Sequence, residues 1–279
     1  ENAARGVRLI LYGLFAKMVV ADNLAPLVDQ VFDHPDAYSS GSILLGMFMY
    51  SFQIYGDFFG YSSIAIGVSL FFGVQLMNNF QSPYSAIGVV DFWRRWHISL
   101  STWFRDYLYF PLGGSHVNTI KWLRNVLVVF LLSGIWHGAN WTFIVWGGIH
   151  ALFYFLEVVI TTHLKWSFHK HIPLFVRGLL TFCIVTLAWV FFRSPSLDHV
   201  WLMFGSLSGS GIWHLHIPIA TWLFLGLFLA LDRFTAVRRI DVLAGAVPTT
   251  LRWGVYGVFI FIIIAFSGVN QAPFIYFQF

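Results

Sequence analysis

Leu131-Leu132-Ser133-Gly134-Ile135-Trp136-His137-Gly138-Ala139-Asn140-Trp141 lies inside a run, residues 125–156, that holds no Asp, Glu, Lys or Arg. About 20 apolar residues suffice to cross a bilayer, and this run exceeds that. His137 is planted within it. A charged group at the bilayer centre costs roughly 2.5 kcal/mol or more, so an ionisable side chain there usually faces a protein interior or a wet cavity. A neutral imidazole can accept or donate a proton near neutral pH. Gly134 and Gly138 allow another backbone or a ligand to come close, and Ser133 and Ala139 leave room. In a soluble protein the plainer reading would be a core histidine stacked among Trp136 and Trp141. The lipid setting reverses that preference.

The composition agrees with the lipid setting. Hydrophobic residues make up 58% of the 279 and charged residues 10%, against roughly 45–50% and about 25% in soluble domains. Aromatic residues reach 20%, with 13 Trp and 31 Phe. This describes an all-α polytopic membrane protein. The net charge of +4 comes without a basic stripe interleaved with exposed aromatics, which argues against nucleic acid as a partner. The single Cys183 excludes a disulfide framework and a thiolate metal site. The chain begins at Glu1 without a signal-peptide pattern, and it reads as one membrane domain, residues 1–279, from the C-terminal part of a longer chain.

Taken in order, residues 7–20 are apolar but interrupted by Arg8 and Lys17, which predicts an interfacial or partly inserted helix. Residues 24–31 stay helical before the polar turn Asp33-His34-Pro35-Asp36. Residues 43–55 form a strong helix expected to end at Gly56-Asp57, and residues 61–72 follow, with Ser62, Ser63 and Gly67 suited to tight packing between membrane helices. Asn78 to Tyr84 reads as a loop. Residues 91–110 mingle five charges with aromatics and so belong at an interface or along a cavity. Residues 123–132 and 141–160 are apolar pieces separated by Trp136-His137-Gly138-Ala139-Asn140, the first short enough to be re-entrant. A polar loop covers 165–171, spans cover 174–192, 217–231 and 253–266, a looser region runs from Ser194 to His216, and 271–279 forms an aromatic tail. The expectation is about six to eight membrane helices with short re-entrant and interfacial helices besides.

A second candidate is His97, in Phe92-Trp93-Arg94-Arg95-Trp96-His97-Ile98-Ser99-Leu100-Ser101. Together with Trp103-Phe104-Arg105-Asp106-Tyr107 and Trp136-His137-Gly138, this block resembles the signature segments of the membrane-bound O-acyltransferase family. The similarity is closest to the family's bacterial polysaccharide branch, that of alginate O-acetylation and lipoteichoic acid D-alanylation. Residues 15–24, 53–66, 79–84 and 274–279 support it in the same order. Ser63 stands where the resemblance leads one to expect an acidic residue, and it also leads one to expect further helices N-terminal to residue 1.

The resemblance implies transfer of an acyl group, expected to be acetyl, from a thioester to hydroxyls of an exported cell-envelope polysaccharide such as alginate. His137 matches the family's catalytic histidine and His97 the second signature histidine of this branch. An alcohol needs a base to take its proton as it attacks, and an imidazole in a dry channel can do so. Asn140 or backbone N–H groups at the glycine-rich break would hold the developing oxyanion. Arg94, Arg95 and Arg105 would meet the donor's phosphates, with headgroup anchoring or pairing to Asp91 and Asp106 as equal alternatives, and Trp136 would line the substrate site. No bound cofactor or metal is implied; the thioester, acetyl coenzyme A or an acyl carrier protein, is a co-substrate. The partners implied are membrane lipid, the donor, and a polysaccharide acceptor or an extracytoplasmic acyltransferase that completes the transfer. The place implied is the bacterial cytoplasmic (inner) membrane.

Other arrangements find less support in the residues. Ser133 lies one helical turn before His137, but no orienting acid or Gly-x-Ser-x-Gly elbow accompanies it. The pairs His169/His171 and His214/His216 lack Cys or acidic ligands and read as solvated loop residues. D-alanyl transfer to teichoic acid is the alternative within the family. From another class, His97 and His137 would form a proton relay in a transporter subunit, for which inverted-repeat symmetry is the missing sign.

Overall fold

The charge-free run folds as two antiparallel helices. In the computed structural model, which describes residues 1–163, 172–209, 211–236, 239–243, 245 and 247–267, the first ends at His137 and the second begins at Trp141. The twelve α-helices used below are α1 (Asn2–Leu14), α2 (Asp22–Asp33), α3 (Ser40–Phe71), α4 (Val89–Arg95), α5 (Ile98–Phe104), α6 (Thr119–His137), α7 (Trp141–Val158), α8 (Leu174–Arg193), α9 (Leu197–Ser206), α10 (Ile219–Phe234), α11 (Ile240–Leu243) and α12 (Thr249–Phe266). Among the described residues no β-strand forms, and six helical segments are long and apolar enough to cross a membrane. The protein is an all-α polytopic membrane protein. The described chain forms two compact units, residues 1–82 with 206–279 and residues 83–205.

In the first unit, α1 continues through a π-helical turn (Phe15–Ala21) into α2, giving one helical segment, Asn2–Asp33. It is thus long enough to span, rather than interfacial as Arg8 and Lys17 suggested. Lys17 is paired with carboxylates and Arg8 is hydrogen-bonded to neutral groups. Lys17 Nζ lies 2.8 Å from Asp22 and 2.6 Å from Asp57, while Arg8 donates to the Asp241 carbonyl and to Tyr256. A wide π turn displaces carbonyls from their usual partners, and the Asn23 amide donates to two of them, Met18 and Val19. α3 also differs from expectation, running unbroken through Gly56 and Asp57. These two residues serve packing and charge pairing instead of a turn: a Cβ on Gly56 would stand 3.1 Å from the Ala16 carbonyl oxygen, and Asp57 pairs with Lys17. Gly13 and Gly60 face each other so closely that a Cβ on either would lie 2.7 Å from the other's carbonyl oxygen. Close backbone approach of this kind holds membrane helices where hydrophobic burial supplies little. In the same unit Tyr55 donates to Asp232 at 2.5 Å, and Ser82 to the Asp232 carbonyl at 2.7 Å.

The second unit is built on the α6–α7 hairpin. The Asn118 side chain caps α6 by accepting from Lys121 N at 2.9 Å, and Asn140 caps α7 by accepting from Thr142 N at 3.2 Å. Gly134 of α6 lies against the Phe143 carbonyl, and Gly147 of α7 against the Phe130 carbonyl, both too close for a side chain. α6 is therefore long enough to span and is not the short re-entrant piece expected. The break falls at residues 138–140, as expected, with His137 still on the helix. Fully buried Asn125 donates to the carbonyls of Leu112 and Gly114 at 3.0 and 3.2 Å, tying the Pro111–Ser115 turn to α6. The looser region expected after Ser194 contains α9. Span 217–231 is realised as α10, which is not among the six long segments. The expected polar loop 165–171 and the aromatic tail 271–279 lie outside the described residues.

Candidate active site

Residues 91–110, expected at an interface or along a cavity, are broken at His97. Its φ of 44° and ψ of 54° place it in the left-handed region, a conformation that costs a non-glycine residue roughly 1–2 kcal/mol. It separates α4 from α5, and a second π-helical turn, Arg105–Tyr109, follows. Unusual backbone of this kind persists where the surroundings enforce it, and it clusters at functional sites. The His97 side chain is buried, its Nδ1 3.4 Å from Ser99 Oγ. Burial lowers its pKa from 6.5 to about 4, leaving the imidazole neutral near pH 7.

His137 is the last residue of α6, where the extended Gly138 turns the chain away. Its ring is bordered by four aromatic rings, with centroids at 4.9 Å (Trp136), 5.2 Å (Trp146), 5.0 Å (Phe192) and 6.4 Å (Phe143). Gly138 is required here, since a Cβ would meet the Phe143 ring at 2.5 Å. Trp136 also packs edge-on against His97, at 6.2 Å. Two histidines far apart in sequence therefore flank one indole, and Trp136 itself is 56% exposed.

Beside them the same unit holds a cavity of about 380 Å³ walled by Trp93, Phe104, Tyr109, Phe130 and Tyr154. Ile98, next to His97, and Ser133, one turn before His137, border it, as do Arg94 and Arg105. Neither histidine is itself on its wall. Arg94 also borders a groove with Arg95 and Arg177. Arg95 pairs with Asp91 at 2.8 Å, and exposed Arg105 with Asp106 at 2.7 Å, which holds the Asp106 carboxyl below its usual range. Asn140 has both ends engaged: Oδ1 caps α7, and Nδ2 donates to the Pro195 carbonyl at 2.7 Å. Among the described residues no three His, Cys, Asp or Glu side chains gather as a metal site would require. His214 Nδ1 lies 3.3 Å from Ser39 Oγ, and the pair His169/His171 lies outside the described residues.

Two residues that the sequence pattern did not single out matter in this unit. His150 is a second ionisable group in the charge-free run, and the depth argument applied to His137 covers it equally. Glu157, which closes that run, accepts from Val90 N at 3.1 Å and so holds the start of α4.

Comparison with known proteins settles the lineage. The model of the MBOAT, membrane-bound O-acyltransferase family, matches residues 1–194. The chain belongs to the membrane-bound O-acyltransferase family. It is 44% identical over 203 residues to the peptidoglycan O-acetyltransferase of Helicobacter pylori, covering 71% of this chain and 37% of that one. It is 42% identical over 215 residues to the probable alginate O-acetylase AlgI of Azotobacter vinelandii, covering 77% and 42%. It is 38% identical over 117 residues to the teichoic acid D-alanyltransferase of Bacillus subtilis, covering 39% and 29%. The chain spans about two-fifths of the length of the first two relatives. The family match takes in both histidines and the α6–α7 hairpin.

Proposed function

We propose that residues 83–205 carry an O-acyl transfer centre, which moves an acetyl group from a thioester to hydroxyls of an exported cell-envelope polysaccharide at the bacterial cytoplasmic membrane. The observation that carries this reading is the placement of His97 and His137 on one indole beside a mostly apolar cavity. The names of the acetyl-transferring relatives favour acetyl over D-alanyl, because their similarity covers more of this chain.

In this mechanism His137 takes the proton of the acceptor hydroxyl as that oxygen attacks the thioester carbonyl. The new C–O bond forms, the C–S bond breaks, and the departing thiolate takes the proton from the imidazolium. Proton transfer by a positioned base is worth about 10²–10⁴ in rate. His97 orients the acceptor hydroxyl as a neutral imidazole. The donor arm occupies the aromatic-walled cavity, and Arg94, at the border shared with the groove of Arg95 and Arg177, meets its phosphate. With its side chain engaged in the cap and at Pro195, Asn140 is left out of the oxyanion site; backbone N–H groups near Gly138 fill that role. The acceptor is the polysaccharide itself or an extracytoplasmic acyltransferase that completes the delivery.

The test supplies membranes containing the protein with labelled acetyl coenzyme A, acetyl carrier protein or D-alanyl carrier protein, and follows label into the exported polymer. Acetyl label in ester linkage supports the reading. Label from the D-alanyl donor alone replaces it with teichoic acid chemistry, and no transfer from any thioester overturns it.

A further inference from the structure

α7 carries an imidazole to which the proposed chemistry gives no task. His150 is fully buried, one turn after Trp146. Its ring lies among five others: Phe92 and Trp93 of α4, Phe130 of α6, Trp146 of its own helix and Trp189 of α8. An apolar side chain would fill such a place at least as well, because buried polar atoms cost stability unless they are bonded.

The hydrogen bonds show what the imidazole supplies. Trp93 Nε1 donates to His150 Nδ1 at 3.2 Å. An indole nitrogen can only donate, so Nδ1 carries the lone pair and Nε2 the proton. His150 Nε2 meets no acceptor among the described residues, and neither does Trp146 Nε1 beside it. An unmet buried donor costs about 1–3 kcal/mol. Stability alone therefore does not account for a histidine here. Its distinctive contribution is an acceptor that holds one indole.

That indole is part of the cavity wall, and it stands on α4, the helix that leads through Arg94 and Arg95 to His97. Further along α7, Glu157 accepts from Val90 N. α7 thus holds α4 near its start through Glu157 and at Trp93 through His150. We infer that His150 is a positioning residue that, by fixing Trp93, sets the wall of the cavity that receives the thioester arm. It touches no reacting atom. The inference rests on reading that cavity as the donor site.

Kinetics in the full protein separate the two. His137→Ala reports on the proposed chemistry and should lower kcat with little change in the donor KM. His150→Leu removes the acceptor and should raise the donor KM by about tenfold with kcat within about threefold, as expected when binding weakens equally in the ground and transition states. His150→Asn keeps an acceptor where Nδ1 stood and should return the donor KM close to wild type. An unchanged KM in His150→Leu, or an equal rise in both variants, overturns the inference while leaving His137 in place. A second measurement does not depend on the reaction. The Trp93 indole N–H, assigned in a ¹⁵N-tryptophan spectrum by its loss in Trp93→Phe, should exchange with deuterium about tenfold faster in His150→Leu than in wild type or His150→Asn, because its bond is gone. Equal exchange in all three also overturns the inference.

Discussion

The α6–α7 seam allows a sharp comparison between adjacent glycines. A Cβ placed on Gly147 overlaps the Phe130 carbonyl oxygen and stands 3.0 Å from its carbon, whereas one on Gly148 meets nothing within 4 Å. Unstrained carbon contacts lie at about 3.5–4.0 Å, so Gly147→Ala requires the two helices to part by about 1 Å. Overpacking of this kind costs about 1–3 kcal/mol. The gain in helix propensity on replacing glycine, about 1 kcal/mol, offsets part of it and leaves a net loss of up to about 2 kcal/mol. The same substitution at Gly148 keeps the propensity gain without the clash. α7 also carries Trp146 against His137, and misplacement by about 1 Å at a reacting centre can cost about a hundredfold in rate. Thermal unfolding of both variants in one detergent, together with acetyl transfer in membranes, should show Gly147→Ala destabilised and strongly impaired. Gly148→Ala should be as stable and active as wild type, or more stable. Indistinguishable behaviour of the two variants would refute the packing argument.

Two further predictions concern charge. Lys17→Met leaves the buried carboxylates of Asp22 and Asp57 without their counter-charge, which should cost about 3–5 kcal/mol; combining it with Asp22→Leu and Asp57→Leu should recover much of the loss in a melting assay. Burial holds the His97 pKa near 4 against 6.5 for the free side chain. The unfolded chain therefore binds a proton that the folded chain refuses between those values, and the stability present above about pH 6.5 is lost as pH falls toward 4. The stability of wild type relative to His97→Asn should fall by about 2 kcal/mol between pH 7 and pH 5. A pH-independent difference would contradict the burial.

The membrane class and the place of His137 were legible because charge-free length and an ionisable group within it are local properties, whereas His97 was singled out by its block of mixed charges and aromatics. The break expected at 136–140 was legible in part, since it falls at 138–140 and leaves Trp136 and His137 on the helix. What was not legible depended on partners distant in sequence. Arg8, Lys17, Gly56 and Asp57 look like interruptions until Asp241, Asp22 and the Ala16 carbonyl are placed beside them. The small residues of α3 signalled close packing, but only the folded chain shows which backbones meet. Asn140 looked available for catalysis because its cap and the Pro195 carbonyl could not be seen together. His150 was within reach of sequence reasoning, since it shares the run with His137; what distinguishes it, the bond from Trp93, joins residues 57 positions apart.

A base at the end of α6 is the centre of the proposed chemistry. Acetyl ester on the exported polymer, measured with wild type and His137→Ala at matched levels of membrane protein, should fall by about 10²–10⁴ in initial rate. Acetylation by His137→Ala at the wild-type rate would contradict it.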